Sequence, residues 1–417
     1  MSSKKKRRRR RKMGRWILGI GCMLISAGAF AAVIYFSNAG RDDAGAESEQ
    51  KPEEKTEEKK QQESNEEESA VEKKLEEMTL EDKIAQMFMI TPDALTGVEG
   101  TWNPGEVTEN AFKERPVGGL IMSENNLAST EQVQVWNDTL TGFSKETVGV
   151  DIFLAVEEEG GVSSMIAENP VFEVENVDNM SEIGNLGNAQ EAYNAGRTIG
   201  TYLNELGFNM NLAPLADVWT NAENTSEQYR AFGSEPELVS DMVSEAVKGF
   251  RSQEICTVAK YFPGQGGTDE ENLSLDCTEE ELKECEFLPF QSAIEAGTEA
   301  IMVGQCTLPN ILEDDTPASL SEEVIEEMLR SELGFGGIVI TDALDQEIIT
   351  DKYSSSEAAV QAIQAGADIL LMPEDFEDAY QGILSAVKSG TITEERIDES
   401  VKRILEVKIE ESGEKAS

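Results

Sequence analysis

The chain has 417 residues, 39% of them hydrophobic, which is enough to bury a core in two average domains or in one large α/β barrel. Its 35 Lys and Arg residues stand against 82 Asp and Glu residues, and ten of the basic residues precede Trp16, which leaves only 25 after that point. Such an acidic chain lacks the basic face that phosphate binding requires, and this excludes nucleic acid as a partner.

The N-terminal segment combines a basic block with a long apolar run. Residues 4–12 read KKKRRRRRK, and residues 16–36 contain no charged residue over a length that can span a bilayer as a helix. Because basic residues stay on the cytoplasmic side, we expect residues 1–15 to form a cytoplasmic tail and residues 16–36 a transmembrane signal-anchor helix in the cell membrane. Everything after the anchor then faces outward. A cleaved signal peptide, which would make the protein secreted, is the alternative.

Residues 37–70 are acidic, polar and low in sequence complexity. They contain too few apolar residues to fold alone, so we expect a disordered spacer between the membrane and the following domain. A partly helical stalk is the alternative, because Glu and Lys dominate the segment.

Residues 71–417 alternate short apolar runs with amphipathic helical patterns. Most of the runs are continuously apolar, as is typical of parallel strands that are buried on both faces. Eight βα units in this length predict a (β/α)₈ barrel of the TIM type, with a doubly wound open sheet as the alternative. The eight predicted strands lie within residues 84–90, 117–123, 151–159, 208–218, 257–264, 300–307, 336–344 and 367–375.

The carboxyl ends of these predicted strands are unusually polar. In a barrel those ends meet at one face, where active sites form. A ring of carboxylates with one lysine suits a neutral, hydroxyl-rich ligand, whereas the structural alternative is that the strand ends simply meet solvent. The polar residues are Glu157, Glu158, Glu159, Asp217, Lys260, Gln305, Asp342, Glu374 and Asp375.

Several segments carry a family pattern in a fixed order along the chain. They include MTLEDKIAQMFMI, VGGLIMSENN, EEEGGV, NLAPLADV, YRAFGSEPELV, KYFPGQGGT and AGADILLMP. In this order the chain over residues 75–410 resembles glycoside hydrolase family 3, and within it the single-domain β-N-acetylhexosaminidases. The resemblance implies cleavage of β-linked N-acetylglucosamine with retention of configuration, and together with the predicted anchor it suggests cell-wall glycan as the substrate.

The resemblance also implies roles for individual residues. In retaining hydrolases a carboxylate attacks the anomeric carbon and a second group transfers protons. The nucleophile corresponds to Asp342 in the segment ITDAL, although a helix N-cap is the structural alternative there. Sugar binding corresponds to Arg230, Lys260 and Glu157, and Glu157 replaces an aspartate that is one methylene shorter. Asp217 and Gln305, at the ends of their strands, are further candidates for substrate binding.

The chain departs from the family pattern at several of these positions. Tyr261 stands where the family has a histidine, and we retain it as a candidate for substrate binding. Met165 replaces an expected arginine, Gln265 a second histidine and Gly267 an aspartate.

The most serious departure concerns the catalytic acid/base. The family subgroup uses a histidine on the loop after the fifth strand, but Asn272 aligns there and the chain contains no histidine. Two hypotheses follow. In the first, Asp269, Glu270 or Glu271 of the same loop is the acid/base, since most retaining enzymes pair two carboxyl groups. In the second, the domain is a pseudo-glycosidase that binds glycan without cleaving it.

No cofactor or metal is implied by the resemblance. The five cysteines form no CxxC pair, and without histidine a structural zinc site is not expected. A third hypothesis, a purely structural membrane-anchored protein, predicts no affinity for sugars.

Overall fold

The structure, a computed structural model, describes residues 70–268 and 273–412, with the side chains of residues 411 and 412 left aside. The predicted tail, anchor and almost all of the predicted spacer therefore lie outside the described residues. The strands are β1 (Phe88–Ile90), β2 (Gly119–Ile121), β3 (Phe153–Val156), β4 (Glu158–Gly160), β5 (Ser163–Ser164), β6 (Met210–Asn211), β7 (Cys256–Phe262), β8 (Ala300–Val303), β9 (Ile338–Thr341) and β10 (Leu370–Leu371).

Eight of these strands form one parallel sheet in the order β10-β1-β2-β3-β6-β7-β8-β9. The ends of the sheet approach each other through a bridge between Ile340 and Ile369, and the Thr341 N–H donates to the Ile369 carbonyl at 3.0 Å. The result is a nearly closed barrel, which is compatible with the predicted (β/α)₈ fold and not with an open sheet.

Each barrel strand is followed by helical structure. From Leu80 onward the α-helices are α1 (Leu80–Gln86), α2 (Pro92–Thr96), α3 (Glu106–Glu114), α4 (Thr130–Thr147), α5 (Met180–Asn185), α6 (Ala189–Glu205), α7 (Pro236–Arg251), α8 (Glu279–Glu284), α9 (Phe287–Ala296), α10 (Glu347–Thr350), α11 (Ser355–Ala365), α12 (Phe376–Ser389) and α13 (Glu394–Ser412). A π-helix covers Glu323–Glu332, and short 3₁₀ turns cover Glu124–Asn126 and Ala318–Leu320.

Continuous apolar runs explain the barrel strands. All residues of β1, β2, β3, β8 and β9 are buried, because the barrel interior covers one face and the outer helices cover the other. One prediction was wrong in its start: residues 84–86 belong to α1 and not to the first strand. Thr79 begins this helix by accepting the Asp82 N–H at 3.1 Å, and the buried Ile84 and Ala85 form the inner face of its last turn.

A two-stranded hairpin follows β3 immediately and belongs to the face where the barrel strands end. It pairs β4 with β5 in antiparallel fashion, with Glu158 opposite Ser164. Gly160 and Gly161 have φ values of +111° and +56°, a backbone region that side chains disfavour. This turn fixes Glu158 and Glu159 directly above the barrel.

Within residues 70–268 and 273–412, no helix combines the length and the apolarity needed to cross a membrane.

Candidate active site

A cavity of about 290 Å³ opens at the carboxyl ends of the barrel strands. Every barrel strand, or the residue directly after it, contributes to the wall. The lining residues are Thr91, Ile121, Met122, Ser123, Glu157, Met165, Leu212, Lys260, Tyr261, Met302, Asp342, Ala343, Gln346, Leu371 and Met372. The position matches the usual active-site face of such barrels.

Two cations and two carboxylates form a network on one side of the cavity. Lys260, fully buried on β7, lies 2.5 Å from Glu157 and 2.6 Å from Glu159 through its Nζ. Arg230 donates two hydrogen bonds to the Glu159 carboxylate, from Nε to Oε2 at 2.8 Å and from Nη2 to Oε1 at 2.6 Å. Bidentate pairs of this kind fix the geometry of both partners.

The network keeps Glu159 and Lys260 charged. Burial acts to raise the pKa of Glu159, but Lys260 and Arg230 outweigh it and hold that pKa well below its ordinary value. Burial likewise acts to lower the pKa of Lys260, yet Glu157 and Glu159 raise it. Only Glu157 in this group presents a substantial part of its side chain, 35%, to solvent. Glu157 is therefore the member of this network that a ligand in the cavity can reach most easily.

Asp342 lies across the cavity, directly after β9. Its carboxylate accepts the Ala343 N–H at 2.7 Å and a hydrogen bond from the Gln346 side chain. Burial raises the pKa of Asp342 to about 6, and the nearby Glu157 adds to this shift against the opposing effect of Lys260. The side chain is still partly exposed because it faces the cavity. It can serve as a carboxylate at neutral pH.

Tyr261, at the position of a family histidine, also lines the cavity. Its hydroxyl accepts a hydrogen bond from Arg230 Nη2 at 3.3 Å, and the Lys260 ammonium lies 5.2 Å from the ring centroid. Burial raises the pKa of Tyr261 above its ordinary value. The phenol therefore remains protonated and is suited to hydrogen bonding more than to proton transfer.

Two predicted site residues lie behind the cavity wall and not in it. The Asp217 carboxylate is buried and accepts the Gln265 N–H at 2.9 Å, which fixes the loop after β7. Gln305 is also buried, and its amide donates to the backbone carbonyls of Asp342 and Ala343 at 3.2 Å each. Both side chains support the site from below, in contrast to the predicted contact with substrate.

A second group of carboxyls lies deeper, around Asp217. Glu227 and Glu286 are buried with it, and one oxygen each of Asp217 and Glu227 has no hydrogen-bond partner. Burial raises the pKa of Glu286 to about 8, and burial together with Glu227 and Glu286 raises the pKa of Asp217. The Glu286 carboxyl is therefore mostly protonated at neutral pH.

The proposed acid/base residues Asp269, Glu270 and Glu271, together with Asn272, lie outside the described residues. The described ends of their loop are held in place. Thr268 donates through its hydroxyl to the Gln265 carbonyl at 2.8 Å, and the Leu273 carbonyl accepts the Thr307 N–H at 2.9 Å.

Sequence reasoning missed several members of the site. Gln346 gave no signal beyond its spacing of four residues from Asp342, and Glu227 none beyond its spacing of three from Arg230. Glu159 was recognised as a strand-end carboxylate, but its partner Arg230 is 71 residues away. The apolar part of the wall, which includes Met122, Met165, Met302 and Met372, was not predicted, and Met165 was noted only as the replacement of an expected arginine.

Among the described residues, no group of three or more Cys, Asp or Glu side chains could hold a metal ion. Cys277, Cys285 and Cys306 are free thiols.

Comparison with known proteins gives consistent matches over the barrel. A family profile described as the glycosyl hydrolase family 3 N-terminal domain matches residues 79–407. The chain is 27% identical over 332 residues to beta-hexosaminidase A of Pseudoalteromonas piscicida, which covers 73% of this chain and 55% of the relative. It is 28% identical over 278 residues to a beta-N-acetylglucosaminidase/beta-glucosidase of Cellulomonas fimi, which covers 63% of this chain and 48% of the relative.

Among solved structures, a glycoside hydrolase family 3 beta-N-acetylglucosaminidase from Paenibacillus sp. strain FPU-7 aligns with a TM-score of 0.74 and 35% identity. The alignment covers 82% of this chain and 64% of that one. The chain thus spans about half the length of the two curated relatives and about two thirds of this structure.

Proposed function

Because the chain belongs to glycoside hydrolase family 3, we propose that it is a retaining glycosidase that removes β-linked N-acetylhexosamine from glycans, with Asp342 as the nucleophile. The observation that carries the proposal is the position of Asp342, a partly exposed carboxylate at a cavity to which all eight barrel strands contribute. The names of the relatives support N-acetylhexosamine as the sugar.

The proposed reaction has two steps. Asp342 attacks the anomeric carbon while the bond to the leaving oxygen breaks, and a carboxylic acid among Asp269, Glu270 and Glu271 protonates that oxygen. The same group, now a carboxylate, then takes a proton from water, and the water oxygen displaces Asp342 from the anomeric carbon. Two inversions give net retention.

The charged network supports the binding part of this proposal. Glu157 is the member that reaches solvent, and Lys260 fixes its carboxylate from below at 2.5 Å. A carboxylate held in this way accepts hydrogen bonds from sugar hydroxyls without losing side-chain entropy on binding. Tyr261 supplies an aromatic face beside it.

The test is hydrolysis of a chromogenic N-acetyl-β-glucosaminide by the full chain. We expect turnover that Asp342→Asn reduces at least a thousandfold, about 4 kcal/mol of activation free energy. Alanine variants at Asp269, Glu270 and Glu271 identify the acid/base. The variant that lacks it should lose turnover and recover it when azide is added, because azide is a small nucleophile that needs no activation. Equal turnover by wild type and Asp342→Asn would refute the assignment of the nucleophile.

A second candidate function is glycan binding without turnover. Two observations favour it. The chain contains no histidine, and Arg230 and Lys260 already form ion pairs with carboxylates of the protein. Titration with N-acetylglucosamine in a calorimeter separates the candidates: binding without turnover supports this one, and the absence of both supports a purely structural protein.

We also propose that the barrel acts on cell-wall glycan outside the cell, anchored by residues 16–36. Support comes from the apolar run and the preceding basic block in the sequence. We expect to recover the chain in the membrane fraction. We also expect external protease to digest the barrel in cells that lack an outer barrier. Recovery in the medium supports the alternative of cleavage.

A further inference from the structure

A second groove lies beside the cavity, on the connection that follows β1. It has a volume of about 360 Å³, and its walls include Thr96, Val98, Thr101, Trp102, Glu106 and Val107. Among the described residues, eight large apolar side chains are exposed. Three of them, Val98, Trp102 and Val107, lie within residues 98–107 and line this groove. Single exposed apolar residues are ordinary, but their concentration around one groove is a mark of a binding surface.

The segment that carries Trp102 is held rigidly. The Asp93 carboxylate accepts the Gly100 and Thr101 N–H groups at 2.7 and 2.9 Å. Gln132 donates through its side-chain amide to the Trp102 carbonyl at 2.6 Å. Trp102 nevertheless leaves 48% of its surface exposed. Because its backbone is already fixed, the exposed indole can be covered by a ligand without ordering of the main chain, which is the arrangement expected of a binding platform.

A short helix and a chain of hydrogen bonds connect the groove to the cavity. Thr91 lines the cavity and caps α2, and Thr96 at the other end of this short helix lines the groove. Ser123 also lines the cavity, and its N–H and hydroxyl donate to Asn126 Oδ1 at 3.0 and 2.8 Å. The Asn126 amide in turn donates to the Thr101 carbonyl at 2.9 Å. The two sites therefore adjoin at the same end of the barrel.

The groove wall indicates the chemistry of its ligand. Hydroxyl groups of threonine and the carboxylate of Glu106 alternate with apolar surface, and no basic residue lines the groove. An anionic ligand would meet no compensating charge there. A sugar ring fits these features, because its hydroxyls can bond to the polar groups while its C–H face packs on the indole.

We propose that this groove binds a second sugar of the same glycan, on the leaving-group side of the bond that Asp342 attacks. The inference rests on the proposed function, since it assigns the cleaved sugar to the cavity. Its consequence is a preference for β-linked amino-sugar oligomers over single-sugar glycosides.

The experiment compares wild type, Trp102→Ala and Trp102→Phe in the full chain, with Val135→Ala as a control for loss of an exposed apolar side chain on α4. Hydrolysis of triacetylchitotriose is measured beside hydrolysis of the chromogenic single-sugar glycoside. We expect Trp102→Ala to lower kcat/KM for the trisaccharide roughly fivefold to tenfold, mainly through KM, and Trp102→Phe to recover part of the loss. The single-sugar reaction and the control should be unchanged.

Calorimetric titration with triacetylchitotriose and with phosphatidylcholine vesicles separates the outcomes. Loss of trisaccharide affinity in Trp102→Ala supports the groove even when hydrolysis is absent, in which case only the proposed turnover fails. Equal trisaccharide affinity in wild type and Trp102→Ala overturns the groove and leaves the glycosidase proposal intact. Vesicle binding that depends on Trp102, or no trisaccharide binding by wild type, also overturns it.

Discussion

The two ends of the barrel both bury charged residues, but with opposite balance. Where the strands begin, the carboxylate of Asp368 is fully buried among arginines, at 2.6 Å from Arg330 and 2.9 Å from Arg403. It also accepts the Val339 N–H at 2.9 Å and the Ser400 hydroxyl at 2.6 Å. Where the strands end, two cations face a larger number of carboxyls, and Glu157 and Asp342 reach an open cavity.

This contrast separates charge that stabilises the fold from charge that is available to a ligand. At the Asp368 end each carboxylate oxygen has its donors, so nothing remains for another molecule to bind. At the cavity end, burial raises the pKa of Asp342 and of Glu286, which means that these groups cost the folded protein free energy when they ionise. Such a cost is common at functional sites, where activity and stability compete. Three substitutions test the contrast.

The largest effect is expected at the stabilising end. Asp368→Asn should lower the free energy of unfolding by about 3–5 kcal/mol, because it leaves buried arginines without their shared carboxylate. Urea unfolding of the full chain measures the loss, and kcat per folded molecule should be unchanged. Asp398→Asn is the matched control: its partner Lys83 is 2.7 Å away, but 40% of the Asp398 side chain is exposed, so we expect less than about 1 kcal/mol. Equal losses in both variants would contradict the proposed role of burial.

An intermediate effect of opposite sign is expected at Glu286. The folded protein keeps this group protonated up to about pH 8, whereas its ordinary pKa is 4.5. Its contribution to stability is therefore fully present below about pH 4.5 and is lost as the pH rises towards 8. Glu286→Gln should raise the free energy of unfolding by about 2–3 kcal/mol at pH 8 and leave it unchanged at pH 4. Thermal unfolding across this range checks it, with the exposed Glu284→Gln as control, and a gain independent of pH would argue against the shift.

The sequence predicted the barrel architecture more accurately than it predicted which side chains at the strand ends point into the cavity. Long apolar runs are a local signal, and each of the eight predicted runs overlaps a barrel strand. The start of the first strand was missed because the apolar residues Ile84 and Ala85 suit a buried helical turn equally well. Asp342 and Lys260 were noticed as polar residues within such runs, and their proposed roles came from the family resemblance.

The supporting roles of Asp217 and Gln305 had no comparable signal. Both lie after strands, as Asp342 does, but the backbone beyond each strand turns their side chains away from the cavity and onto main-chain groups. The pairing of Glu159 with Arg230 depends in the same way on how two distant connections meet. Contacts of this kind follow from tertiary packing, which spacing along one chain does not encode.

The smallest change in stability is expected at Asp342, and it tests the contrast most directly. The pKa of this carboxyl rises from 3.8 to about 6 on folding, so its contribution to stability is present below about pH 4 and is lost as the pH rises through 6. Asp342→Asn removes the charge but keeps an acceptor for the Ala343 N–H. At pH 8 it should therefore raise the free energy of unfolding by about 1–2 kcal/mol, less than the full shift implies because the group is partly exposed.

At pH 3 Asp342→Asn and wild type should have the same free energy of unfolding. Asp351→Asn, at an exposed position, should leave the free energy of unfolding unchanged at both pH values. A variant that is more stable at pH 8 and also inactive would identify Asp342 as a carboxylate kept at a cost for its chemistry. A variant that is less stable at both pH values would place Asp342 with Asp368, as a carboxylate that the fold itself needs. In that case Asp342 would not be available as a nucleophile, and glycan binding without turnover would become the better description of the site.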